Sequence, residues 1–242
     1  MMSTKPEKAP QSQPFDQSLA EFSQLNPAQQ MLVATTLMER MLPNYLLFSE
    51  VTEFGEGKIL RDALNIVWEK LIVKNLKLNV DKQLEKVEPN IPDIEDFDMF
   101  GVYPALDAAM ALTALLSGVC TEDDEALLDV CKLSQASVSK VAELELMADS
   151  PEPVNSPEPS NSPELENSLE PVNSPEPVNS PEPVNSISDQ QFSEHELMVY
   201  EAEFFAELIT KVSKTPKPDK AIVNSFRTRA LMDGVTNIGI EV

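Results

Sequence analysis

One stretch of this chain has almost nothing with which to join a core. From Ser150 it reads SPEPVN, SPEPSN, SPELEN, SLEPVN, SPEPVN, SPEPVN, which is six copies of six residues ending at Asn185. The repeat holds ten of the 20 prolines and seven glutamates, with no basic residue and no glycine. Proline removes a backbone donor and clashes with the preceding turn, so a helix cannot run through this pattern. Beyond scattered valines, Leu165 and Leu169, it has little apolar surface to bury. The composition predicts a disordered, polyproline-II-biased spacer over residues 150–186. At about 3.1 Å per residue, its 36 residues reach roughly 110 Å when fully extended. The plain reading is a solvated loop expansion. As a ligand for a proline-recognising domain it is poor, because its spacing is P-x-P and it has no lysine or arginine to orient docking.

A polar tail over residues 1–15 is also expected to be disordered. What remains is 16–149 and 187–242, about 190 residues of a chain that is 42% apolar. That is enough for one core burying about 70% of its unfolded surface. A period of 3.6 dominates these stretches. Asn26-Pro27 reads as a helix cap with proline at the first helical position, leading into Ala34, Leu37, Met38 and Met41. Leu42-Pro43-Asn44 predicts a break and a restart at Tyr45. Phe54-Gly55-Glu56-Gly57 reads as a turn. Ile59, Leu60, Ala63, Leu64, Val67, Trp68, Leu71 and Ile72 then mark a buried helix, and Val80 to Val87 a short one.

Pro104 opens an apolar helix over Ala105 to Leu116, closing near Gly118. Its extension to Val119 is too short for a bilayer, which needs about 20 residues. Thr121 to Asp124 fits a capping box for a helix running to about Met147. Leu197, Tyr200, Phe204, Leu208 and Val212 form another stripe, as do Ile222, Phe226 and Ala230, closed by Gly234. The segment from Asn237 to Val242 reads as extended. The fold class is therefore all-α: one helical bundle domain of seven or eight helices, interrupted by the disordered hexapeptide-repeat insertion.

The charge limits the chemistry. Forty-one acids against 18 bases give a net charge of −23. Phosphate backbones need a basic face, so no nucleic-acid partner is expected. The repeat carries −7, the stretch Lys211 to Arg229 carries +5, and the rest −21. That basic stretch reads as a solvated linker and helix face, or as a contact for an acidic partner. Two cysteines and one histidine, His195, exclude a zinc finger and leave nothing for a di-iron bundle. The acids Asp93, Glu95, Asp96 and Asp98 miss the EF-hand pattern, since no glycine falls at position six. Gly55-Glu56-Gly57-Lys58 lacks P-loop spacing. No cofactor and no metal is expected. With no apolar run near Met1 and no disulfide framework, the expected location is the cytoplasm, with no membrane partner. Cys131 and Trp68 read as core residues.

Three segments carry a resemblance. They are Glu39 to Tyr45 with Phe54 to Gly57, Asp96 to Ala108, and Asn237 to Ile240. Together they resemble the YjaG-like family of bacterial proteins of unknown function, over roughly residues 25–148 and 187–241. The resemblance implies an α-helical fold and, through genome context, a loose tie to signalling through histidine kinases. It brings no catalytic residues. The repeat sits where other members have a short connection.

Glu39, Arg40 and Asp107 are charges within or beside apolar helices, and buried charges must pair. Arg40 is expected to pair with an acid from another helix, with Asp107 as the candidate. The first expectation for function is a cytoplasmic protein-interaction module, linked to signalling, with a protein partner or a second copy of itself. The alternatives are an enzyme or small-ligand binder using Glu39, Arg40, Tyr45, Asp98, Tyr103 and Asp107, with Asn44 beside them, and an acidic binder of basic proteins.

Overall fold

The computed structural model describes residues 14–73, 75–121, 124–148 and 187–242, and their side chains except at residues 14, 120, 121 and 124. The hexapeptide repeat, the first 13 residues and the expected cap at Thr121 to Asp124 lie outside that description. Among the described residues there are nine α-helices and no strand. They are α1 Pro14–Phe22, α2 Pro27–Thr52, α3 Gly57–Ile72, α4 Val80–Val87, α5 Val102–Thr121, α6 Asp124–Ala148, α7 Asp189–Ser193, α8 Glu196–Ser213 and α9 Lys220–Ala230. Two single 3₁₀ turns, Glu88–Asn90 and Ile94–Asp96, connect α4 to α5.

The count differs from the expected seven or eight for three reasons. First, α2 does not break at Pro43. Proline inside a helix costs about 3 kcal/mol in isolation. Here Leu37, Met38, Met41 and Leu42 before it, and Tyr45 and Phe48 after it, are all buried. One continuous helix is what lets both sets pack. Second, α1 begins inside the expected tail, because Phe15 is buried with its ring centre 5.1 Å from that of Phe205. Third, α7 is a five-residue turn with no apolar stripe, held by a Ser188–Gln191 capping box.

The N-terminus of α2 is fixed as its sequence implies. Asn26 Oδ1 accepts from the Ala28 and Gln29 amides, and Gln29 Oε1 accepts from the Asn26 amide at 3.0 Å. At its end Glu53 and then Gly55 turn left-handed, with φ of 56° and 67°. Sixteen of the 26 residues of α2 are buried, so it is covered on several sides rather than along one stripe. It packs against α3, α5, α6, α8 and α9.

The second central helix, α5, runs beyond Gly118 to Thr121. Gly118 is a packing residue rather than a stop, because a Cβ there would collide with Leu127 of α6. At 20 residues α5 is longer than the expected segment and long enough to span a bilayer. Two thirds of its most apolar window is buried within the bundle, mainly against α2 and α6. It is the core helix. The C-terminal segment is a tight loop, with a single antiparallel bridge between Val235 and Glu241, and Gly234 and Gly239 at positive φ.

Candidate functional site

Glu39 and Arg40 are neighbours on α2 and point about 100° apart around the helix. They serve different partners. The Glu39 carboxylate accepts from the Arg61 guanidinium and, at 2.7 Å, from Trp68 Nε1, both on α3. Arg40 Nη1 donates to Glu201 Oε2 of α8 at 2.7 Å, with both side chains almost fully buried. Its Nη2 reaches the Thr236 carbonyl at 3.4 Å, and its guanidinium lies 4.1 Å from the centre of the Phe204 ring. The expected partner Asp107 is instead held by Lys140 of α6, whose Nζ is 2.8 Å from both carboxylate oxygens. Arg40 thus pairs with an acid from another helix, but not with the expected one. Glu201, on the buried face of α8, is the acid that faces α2.

The network continues from Glu201. Ser134 Oγ of α6 donates to Glu201 Oε1. The Ser134 carbonyl accepts from Asn237 Nδ2 at 3.3 Å, and Asn237 Oδ1 accepts from Asn44 Nδ2 at 2.8 Å. Four separate parts of the chain are therefore joined by one set of buried polar contacts: α2, α6, α8 and the C-terminal loop. One turn along α2, Tyr45 donates to the Asn90 carbonyl at 2.8 Å, while Asn90 Oδ1 accepts from the Glu56 amide at 2.6 Å. Burial pushes the Tyr45 phenol up to about 12, so it stays protonated and serves as a donor.

The remaining expected residues lie elsewhere. Asp98 is exposed ahead of α5. Tyr103 is half-exposed at the start of α5, with Lys140 Nζ 5.9 Å from its ring centre. Burial raises the Asp107 carboxyl, and the Lys140 ammonium opposes that shift. So Tyr103 and Asp107 share Lys140, Asp98 stands apart, and Glu39, Arg40, Asn44 and Tyr45 are spent inside the bundle.

Sequence reading missed Ser134, Lys140, Glu201 and Asn90. Only Glu201 left a clear signal: an acid three and four residues before Phe204 and Phe205 falls on a buried face.

Other reactive groups are engaged in part or whole, although the buried Nδ1 of His195 has no hydrogen-bond partner among the described residues. Cys131 is buried, and burial, reinforced by the Glu201 carboxylate, pushes its thiol up and away from thiolate chemistry. His195 Nε2 is 3.2 Å from Glu145 Oε2. In the basic stretch, Arg229 donates to Glu207 and Asp233. Its guanidinium holds the Glu207 carboxyl below its usual range, and the Tyr200 hydroxyl, followed by Arg229, does the same for Asp233. Arg227 sits over the Trp68 ring at 5.6 Å. The arginines of that stretch are thus part of the body rather than a free basic face. Among the described residues no group of three histidines, cysteines or acids is placed to hold a metal.

Among the described residues, one open apolar surface lies at the junction of α5 and α6. Phe100, Tyr103, Lys140, Glu143, Leu144 and Met147 line a shallow open depression of about 340 Å³. Leu144 and Met147, one turn apart on α6, are 46% and 57% exposed. The Phe100 and Tyr103 ring centres are 5.6 Å apart.

Comparison with known proteins gives a consistent picture. The model of the DUF416 family, described as protein of unknown function, matches residues 17–170 and 181–241. The uncharacterized protein YjaG of Salmonella typhimurium is 46% identical over 110 residues, covering 46% of this chain and 55% of that protein. The YjaG protein of Escherichia coli strain K12 matches over the same shares. An uncharacterized protein of Haemophilus influenzae is 40% identical over 126 residues, covering 51% of this chain and 64% of that protein. The chain thus spans about half the length of the first of these curated relatives. The crystal structure of a DUF416 family protein from Shewanella baltica OS155 superposes with a TM-score of 0.73 at 31% identity, over 93% of this chain and 98% of that one.

Proposed function

The chain belongs to the DUF416 family of proteins of unknown function, and on that premise we propose that it works in the cytoplasm as a protein-interaction module. One observation carries this reading. Glu39, Arg40, Asn44 and Tyr45 are consumed by the interior, while Tyr103, Leu144 and Met147 stay exposed around one depression. The partner that fits is a protein with an apolar face bordered by basic groups, because Asp98, Glu143 and Glu145 flank the patch in sequence. Apolar burial supplies the affinity, and the acidic surface supplies steering and choice of partner. The signalling role suggested by the family resemblance is the specific form of this proposal.

The test is capture from native lysate with the intact chain and with a Leu144→Asp, Met147→Asp double variant. A protein retained by the intact chain and lost with the variant, at an unchanged melting temperature, supports the proposal. Identical capture by both contradicts it. Repeating the capture at high salt separates the acidic-binder reading, which predicts that all binding is lost as charges are screened. A histidine kinase among the lost proteins supports the signalling form.

A further inference from the structure

We propose that the cleft between the starts of α2 and α9 binds a small amphipathic anion, an apolar body carrying a carboxylate or phosphate head. The cleft measures about 780 Å³, within the range of small-molecule sites. Its walls come from five separate parts of the chain: the first turns of α2, the end of α3, the segment before α4, the end of α5 and the turn that opens α9.

The floor is apolar. Met31, Leu71, Ile72 and Leu78 rest on the core but are only partly covered, so the edge of the core lies open there, with Val119 below. The rim is basic. Lys70 is anchored by donating to the Leu76 carbonyl at 2.9 Å, which leaves two of its three N–H groups available. Lys217 and Lys220 are exposed, and among the described residues neither lies in an ion pair. The one acid of the rim, Asp219, caps α9 by accepting from the Ile222 amide at 2.9 Å, so the rim sets three ammonium groups against one carboxylate.

Two helix starts and two helix ends border the cleft, so helix dipoles do not fix its sign and the lysines do. In a chain of 41 acids and 18 bases, an apolar cleft ringed by three lysines reverses the local polarity of the protein. Charge complementarity selects an anion, and the exposed floor selects one with an apolar body. Lysine stems can lie along such a body while their ammonium groups reach the head. The cleft is about 24 Å along α5 from the Phe100–Tyr103 depression. It goes beyond the protein-interaction reading, and either proposal can fail without the other.

The probes are sodium decanoate and decyl phosphate, with decyltrimethylammonium as the reversed charge, titrated calorimetrically into the full chain. We expect saturable binding of one anion per chain and at least tenfold weaker binding of the cation. Lys217→Glu with Lys220→Glu should weaken anion binding at least tenfold at an unchanged melting temperature. The matched pair Lys58→Glu with Lys132→Glu, away from the cleft, should not. Tighter binding of decanoate assigns a carboxylate head, and tighter binding of decyl phosphate a phosphate head. The proposal is overturned by equal binding of anion and cation, by insensitivity to the Lys217 and Lys220 changes, by equal loss in the matched pair, or by no saturable binding.

Discussion

Trp68 illustrates how a residue chosen by the core also holds a charge. Its ring is 1% exposed on α3, as the apolar stripe implies, and its Nε1 is the second donor to Glu39. Trp68→Ala should lower the unfolding free energy by about 3–5 kcal/mol. Trp68→Phe keeps most of the volume but leaves a buried carboxylate oxygen short of a donor, at a cost of about 1–3 kcal/mol. Urea denaturation separates the two, and a loss under about 1 kcal/mol for Trp68→Ala would mean the ring is not a core residue. Tyr45 gives a prediction in pH. Its phenol is raised from 10.0 to about 12, so the folded chain keeps a proton that the unfolded chain releases earlier. The stability this adds is complete below pH 10 and is lost as pH rises towards about 12. The melting temperature of the parent chain should fall more steeply over that window than that of Tyr45→Phe. Equal slopes would contradict it.

At the scale of elements, α2 shows what period and propensity can and cannot predict. The cap at Asn26, the buried positions and the turn at Gly55 were legible, because each is a local property of the residues involved. The run through Pro43 was not, because the apolar contacts that stabilise it come from other helices. The same holds for α5, whose Gly118 looks like a terminator in sequence and is a close-approach point in the fold. Gly55 is different: its φ of 67° calls for glycine, and a Cβ there would run into the Tyr45 hydroxyl and Asn90. Gly55→Ala should therefore cost at least about 1–2 kcal/mol, checked by thermal unfolding. An unchanged melting temperature would show that the turn can relax away from both groups.

For the whole molecule, the all-α class was readable from stripes alone, while the polar network was readable only as a requirement. Sequence dictates that Arg40 must find an acid. It cannot choose one 161 positions away over one 67 positions away, because only the packing of α8 on α2 decides it. The exposed patch and the lysine-rimmed cleft were invisible for the same reason, since each is assembled from distant segments. The repeat remains a prediction from composition. Replacing Ser150–Asn185 by a short linker should change the unfolding midpoint little, since loop length enters closure entropy only logarithmically. A large loss would mean that the repeat packs on the bundle.

The account turns on the claim that the polar residues of α2 serve the fold rather than a site. The most direct test is a double-mutant cycle on Arg40→Met and Glu201→Leu, read by denaturant unfolding together with partner capture. Each single change should cost about 3–5 kcal/mol by stranding a buried charge, and the double variant should recover most of that loss. The double variant should also capture the same partner as the parent chain. A double variant that is stable and folded yet captures nothing would contradict the account and place Arg40 and Glu201 in the binding site.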